Sequence, residues 1–209
     1  MGSYPVCLEL AGQPCLVIGG GPVAERKVEG LLAAGAAVTV VSPSLTAGLA
    51  ALARGGRIRH LPREYGPGDV AGNRLTLAAT GKREVDAAAS REGRERGVWV
   101  NAADAPDLCD FTLPAVLRRG DLVVAVSTGG ASPALARAVR EELEGHLPEA
   151  YAALADIVAE VRRELRQRAC SPGGEAWRQA LDADLRRLVA EGRRAEAKAR
   201  LLARLAPCP

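Results

Sequence analysis

Residues 15–41 read CLVIGGGPVAERKVEGLLAAGAAVTVV. Cys15 to Ile18 fit a buried strand, three glycines interrupt it, and a helical pattern then runs to about Ala34. Gly35 is suited to stop that helix, and Ala37 to Val41 form a second apolar run. This is a β-α-β unit with a very short first turn, which implies parallel strands joined by a right-handed crossover.

The turn itself suggests a ligand. Gly19-Gly20-Gly21-Pro22-Val23-Ala24 fits G-x-G-x-x-G/A. Gly19 permits the tight turn, Gly21 lets a pyrophosphate approach the backbone, and Ala24 allows close helix–strand packing. Pro22 and Val23 open the helix, whose unpaired N–H groups and dipole favour an anion. A glycine-rich turn that binds nothing is the competing reading. The strand before the turn and the helix and strand after it favour the nucleotide. At the end of the second strand VVSPSL stands in place of the usual ribose-binding acid. Ser42, Pro43 and Ser44 are therefore expected to meet the adenosine ribose through backbone groups or hydroxyls. No Arg follows at once to hold a 2′-phosphate, so NAD is expected rather than NADP.

The alternation continues outward. Leu45–Ala53 looks helical, Arg57–Leu61 a short strand, Leu75–Ala79 a buried strand, Glu84–Arg96 a polar-faced helix and Val98–Asn101 a further strand. This predicts an α/β fold, a Rossmann-type doubly wound parallel sheet over residues 1–113. In 114–146 one strong strand, Leu122–Ser127, precedes a Gly-Gly turn and a helix opening at Ser132-Pro133. From Leu147 no strand is evident. Leu147–Arg168 and Glu175–Leu205 read as amphipathic helices, giving an α-helical C-terminal domain over 147–209. The stripe Leu154, Ile157, Val158, Val161 and Leu165 predicts burial against another surface. We take that surface to be a second copy, so that this region and Leu122–Leu143 build a homodimer.

VNAADAPDLCDF, residues 100–111, breaks a strand into a loop of carboxylates. Strand C-terminal ends face the ligand crevice in such sheets, which places Asn101 and Asp104 there. None of Tyr4, Tyr65 and Tyr151 precedes a Lys by four residues, and no His lies near a late strand end. Proton transfer then falls to a carboxylate or hydroxyl, and Asp104 is the candidate. A turn cap beside Pro106 is the alternative for Asp104 or Asp107. STGGASPALAR, residues 127–137, puts Thr128 and Gly129 between a strand and a helix N-terminus. A second anion cradle and an ordinary turn fit that composition equally.

Composition excludes several classes. Aromatics are 3%, which argues against base stacking. Residues 1–145 carry 16 basic and 16 acidic side chains; the net +3 lies in the rest, interleaved as on solvated helices. Nucleic acid is therefore not an expected partner. Cys7, Cys15, Cys109, Cys170 and Cys208 are scattered without a C-x-x-C pair, and His60 and His146 lie far apart. No metal site or disulfide framework is expected. No leader pattern and no membrane-length apolar run is present, so a cytoplasmic protein that does not bind membranes is expected.

Three stretches together carry a family resemblance: CLVIGGGPVAERKVEGLLAAGA, VNAADAPDLCDFTLPA and VAVSTGGASPALARAVREEL. In this order and spacing they resemble the precorrin-2 dehydrogenase / sirohydrochlorin ferrochelatase family, the dehydrogenase module of siroheme synthase. The resemblance covers roughly residues 4–147; the helical tail is similar to the family's dimerisation region only in general character. It implies NAD-dependent oxidation of the tetrapyrrole precorrin-2 to sirohydrochlorin, with Fe(II) insertion in some members. It also implies that Gly19, Gly21, Pro22 and Val23 line the pyrophosphate, with Pro43 and Ser44 near the adenosine. Asn101, Thr128 and Gly129 would meet the substrate, and Asp104 would be the base. The methyltransferase domain of the larger synthases is not in this sequence, so precorrin-2 is expected to come from another protein. A non-catalytic NAD-sensing Rossmann module is the reading from a different class; such a module has no need of the Asn101/Asp104 loop.

Overall fold

A computed structural model describes residues 3–206. The chain divides into two compact units, one ending at Leu113 and the other beginning at Pro114.

In the first unit β1 (Pro14–Ile18), β2 (Ala37–Val41), β3 (Arg59–Leu61), β4 (Leu75–Ala78) and β5 (Trp99–Ala102) alternate with α1 (Pro22–Ala33), α2 (Ala47–Arg54) and α3 (Arg83–Arg96). All pairings are parallel, in the order β3-β2-β1-β4-β5. β1 is central because Cys15, Leu16, Val17 and Ile18 are apolar on both faces and fully buried. The chain winds outward to β3, then returns past β1 to β4. The order thus reverses between the C-terminal ends of β1 and β4, where sheets of this kind take ligands.

Cys15, Val17, Val40 and Leu77 pack with Ala24, Val28 and Leu31 of α1 and Leu49 of α2. The spacing of Ala24, Val28 and Leu31 is one helix face. Leu16, Ile18 and Val41 pack on the opposite face with Ala89 of α3. Complete burial of a side chain such as Leu49 stabilises the unit by roughly 1.5–3 kcal/mol. The outer edge of β5 is not left open: Asp110 N donates to Val100 O at 2.8 Å, and Asp110 Oδ2 accepts from Val100 N at 2.9 Å. Asp110 blunts an edge strand that would otherwise pair with other chains.

The second unit begins with an antiparallel ribbon, β6 (Ala115–Arg119) and β7 (Leu122–Val126), turning at Gly120, where φ is +57°. It continues through α4 (Pro133–His146), α5 (Ala150–Gln167), α6 (Gly174–Ala180), α7 (Ala183–Ala190) and α8 (Arg194–Leu205). Ser132 caps α4, its hydroxyl accepting from Leu135 N, and Pro133 opens the helix. Buried Arg119 donates to Leu147 O at 2.8 Å and pairs with Glu144 and Glu149, fastening β6 to both ends of the α4–α5 connection.

Several expectations are corrected here. β6 escaped the sequence reading because its outward residues, Val116 and Arg118, mix apolar and charged types. The helix expected over Glu175–Leu205 is three helices: Asp182 caps α7 through Leu185 N, and Gly192, at φ +74°, breaks the chain before α8. The stripe on α5 needs no second copy. Ile157, Val161 and Leu165 are buried against Leu185, Val189, Leu201 and Leu205 of the same unit. Cys170 is disulfide-bonded, a bond that the scattered spacing of the cysteines gave no reason to expect. Among the described residues no helix is long and apolar enough to cross a membrane, and no cluster of three or more His, Cys, Asp or Glu could hold a metal.

Candidate active site

The three glycines after β1 do different work. Gly19 has φ +117°, and a Cβ there would overlap the carbonyl of Ala79 just beyond β4. Its N–H donates to Val41 O at 2.9 Å. A Cβ on Gly20 would overlap the Ser44 carbonyl, and Gly20 O accepts from Thr46 N at 2.9 Å. The loop is therefore wedged between the ends of β4 and β2. The motif is indifferent to residue type at Gly20, and only the packing shows why glycine is needed; a third consecutive glycine was the available signal.

Gly21 differs. Its backbone is ordinary, φ −84°, and it is the N-cap of α1. No atom lies within 4 Å of the position a Cβ would take. Nothing in the fold requires this residue to be bare, so it leaves a cradle that a side chain would fill. No side chain caps α1, and Pro22 stands at its first turn, so the N–H groups of Val23 and Ala24 have no cap. Val23 is exposed beside them. Pro43 and Ser44 are exposed beyond β2, held by Ser42 Oγ donating to Ser44 O at 2.7 Å and His60 Nε2 donating to Ser42 O at 2.9 Å. The first unit thus brings these residues to one edge of the sheet, and uncapped helix donors beside an empty cradle fit a dinucleotide pyrophosphate.

Beyond β5 the chain folds back as a strap, residues 102–111. Buried Asn101 holds it: Nδ2 donates to Phe111 O at 2.9 Å and Oδ1 accepts from Lys27 Nζ at 2.9 Å. The Cys109 thiol shares its one S–H between Ala102 O and Ala105 O and accepts from Ala102 N. The strap carries three carboxylates with separate fates. Asp110 serves β5. Asp107 pairs with Arg83 at 2.6 Å, and that guanidinium holds its carboxyl below the usual range. Asp104 is exposed at φ +57°, a left-handed conformation that Asp tolerates better than most residues. It has no hydrogen-bond or ion-pair partner that would commit its carboxylate among the described residues.

Lys27 lies within electrostatic reach of Asp104. Burial pushes its pKa down and the Arg26 charge adds to that, while the charges of Asp104 and Asp86 oppose it. Asp86, buried in the first turn of α3, accepts from Thr80 Oγ1 at 2.7 Å, just past β4. Lys27 lies in the stretch that carries the family resemblance, but the sequence assigned it no role, and Asp86 was passed over. The signal was there for Lys27, a charged residue beside Val28 on the inward stripe of α1. Thr128 and Gly129 belong to the second unit. The Thr128 hydroxyl closes its own turn, accepting from Ser132 N at 3.0 Å and donating to Ser132 O at 3.1 Å. Gly129 has φ +63° and open space at its Cβ position.

Known proteins match this arrangement. An NAD(P)-binding family matches residues 6–115, and the sirohaem biosynthesis protein central family matches residues 119–146. The siroheme synthase of Methylococcus capsulatus is 42% identical over 204 residues, which is 97% of this chain and 43% of that protein. That of Methylobacillus flagellatus is 46% identical over 168 residues, covering 80% of this chain and 36% of that protein. The chain thus spans well under half the length of these relatives. Among solved structures, SirC, a precorrin-2 dehydrogenase, superposes with a TM-score of 0.78 at 27% identity, covering 95% of this chain and 98% of that one.

Proposed function

We propose that this chain, which belongs to the precorrin-2 dehydrogenase / sirohydrochlorin ferrochelatase family and its siroheme synthase modules, oxidises precorrin-2 to sirohydrochlorin with NAD in the cytoplasm. The observation that carries the reading is the pairing of the Gly21 cradle with one uncommitted carboxylate, Asp104, at the same edge of one sheet. A sensing module accounts for the first feature and not for the second.

Bound NAD supplies the hydride acceptor. The residues do the rest. The first-turn N–H groups of α1 hold the pyrophosphate, Gly21 gives it room, and Pro43 and Ser44 meet the adenosine. Oxidation removes a hydride and a proton from precorrin-2; Asp104 takes the proton. Extension of conjugation around the macrocycle drives the reaction, so a modest base suffices. Asn101 has both ends of its carboxamide committed, Nδ2 to the strap and Oδ1 to Lys27 of α1, so we assign it to orienting the substrate region and not to titrating. Thr128 and Gly129 are proposed to meet the tetrapyrrole's carboxylates. Fe(II) insertion, a second activity at the same site, needs a base for pyrrole N–H protons, and Asp104 is again the group available. The test is spectral: with NAD, fresh precorrin-2 is converted to the sirohydrochlorin chromophore, and NADP supports a slower rate. A chain that binds NAD and leaves precorrin-2 unchanged is a sensor.

The assembly proposal now rests on the ribbon and α4 without the α5 stripe. On the ribbon Val116 and Val123 are 38% and 39% exposed, and Leu135 of α4 is 55% exposed. A homodimer through the ribbon and α4 would cover them. Light scattering at micromolar concentration should give twice the chain mass, and Val123→Arg should halve it; a monomeric wild type refutes the dimer.

A further inference from the structure

We propose that Lys27 is a positioning residue for Asp104: its ammonium, donating to Asn101 Oδ1 at 2.9 Å, locks the carboxamide that anchors the 102–111 strap. The inference rests on the reading of Asp104 as the base.

The two ends of a carboxamide are nearly the same shape, and its partners decide which way it points. An ammonium can only donate. With Lys27 at one end, Asn101 must present Oδ1 to it and Nδ2 to the Phe111 carbonyl; the flipped amide would set N–H groups against a cation. The hydrogen bond is charge-assisted, a kind stronger than a neutral one, and Lys27 is half-buried, where water competes with it less. From Asn101 the hold passes both ways along the strap, directly to Phe111 O and, through a 3.5 Å contact with Cys109 Sγ, to the thiol that gathers Ala102 and Ala105. Asp104 stands between those two alanines in a left-handed conformation that Asp tolerates and that the bonds of the strap hold.

Lys27 is well placed to set this distance. Its helix is fixed by Ala24, Val28 and Leu31, all buried against the sheet. The same helix offers the Gly21 cradle at its N-terminus. One rigid element thus locates the cofactor's phosphates and, one and a half turns on, the strap that carries the base. Placing a reacting group within a fraction of an ångström is worth large factors in rate. Packing alone gives no reason for a Lys on the inward stripe, since an apolar pair in place of Lys27 and Asn101 would fill the space without desolvating a charge.

The experiment uses the full chain with Lys27→Met, which keeps the stem and removes the donor, and Lys27→Arg, which keeps a cationic donor. With saturating NAD, Lys27→Met should lower kcat for precorrin-2 about ten- to a hundred-fold, with KM and NAD affinity little changed. Lys27→Arg should recover part of the loss. Independently of turnover, the Cys109 thiol should be alkylated several-fold faster in Lys27→Met, read by mass spectrometry against exposed Cys7 and buried Cys15 as fast and slow references. Wild-type kcat together with wild-type Cys109 reactivity in Lys27→Met overturns the proposal. So does an equal loss in Lys27→Met and Lys27→Arg with Cys109 reactivity unchanged. If the wild type itself does not oxidise precorrin-2, the functional reading has failed, and the thiol measurement still decides whether Lys27 holds the strap. Should Lys27→Met not fold, Lys27→Gln, whose amide can present either its oxygen or its N–H and so no longer dictates which way Asn101 points, takes its place in the same two measurements.

Discussion

Asp104→Asn should lower precorrin-2 turnover by about 10²–10⁴-fold, the range a general base contributes, with NAD binding unchanged. The substitution is clean for a reason that only the backbone reveals. Asp104 sits at φ +57°, and Asn is among the few residues that accept this region readily. Asp104→Ala would mix the loss of the base with backbone strain of about 1–2 kcal/mol. Asp107→Asn is the control. Its partner is exposed Arg83 in a pair that solvent screens, so it should lose little stability and keep its turnover. Asp110 is less neutral than a surface residue, since it accepts from Val100 N; Asn retains that acceptor and Ala does not. If Fe(II) insertion is native to this chain, Asp104→Asn should impair it as well. Near-normal oxidation by Asp104→Asn at saturating NAD would reduce Asp104 to a turn-former.

Gly21→Asp should abolish measurable NAD binding while leaving thermal unfolding close to that of the wild type. The Cβ meets nothing within 4 Å and the backbone is not left-handed, so the folded chain accepts the side chain. Asp is moreover a favourable N-cap, able to accept from the first-turn N–H groups of α1. That is the mechanism of the loss: the carboxylate occupies the donors and the space that the pyrophosphate needs, and repels it. Gly19→Ala and Gly20→Ala are different variants in kind. Each puts a methyl group into a backbone carbonyl, of Ala79 or Ser44, and each should destabilise the fold whether or not NAD is present. Calorimetry showing wild-type NAD affinity in Gly21→Asp would move the cofactor site elsewhere.

Where local chemistry decides structure, the sequence was legible. Residues 15–41 specify β1, the glycine turn, α1 and β2, because an apolar run, a phosphate-type turn and a 3.6-residue stripe lie within one short segment. Ser132-Pro133 marked the start of α4 for the same reason. The doubly wound parallel sheet follows once the alternation is read, and right-handed crossovers leave few orders for its strands. What the chain brings together from afar was not legible. Lys27 and Asn101 are 74 residues apart, and nothing at either position names the other. The fates of Asp104, Asp107 and Asp110 look alike in the sequence; Arg83 and the edge of β5 claim two of them. An apolar stripe states that a helix must be covered but not by what, and α7 and α8 cover α5 where a partner was expected. By itself, then, the sequence determined the parallel sheet, the glycine turn and the place of the carboxylate loop. The tertiary structure alone decided which glycine leaves an empty cradle, which carboxylate is uncommitted and which lysine holds its strap, because each depends on distances between atoms that the chain order does not encode.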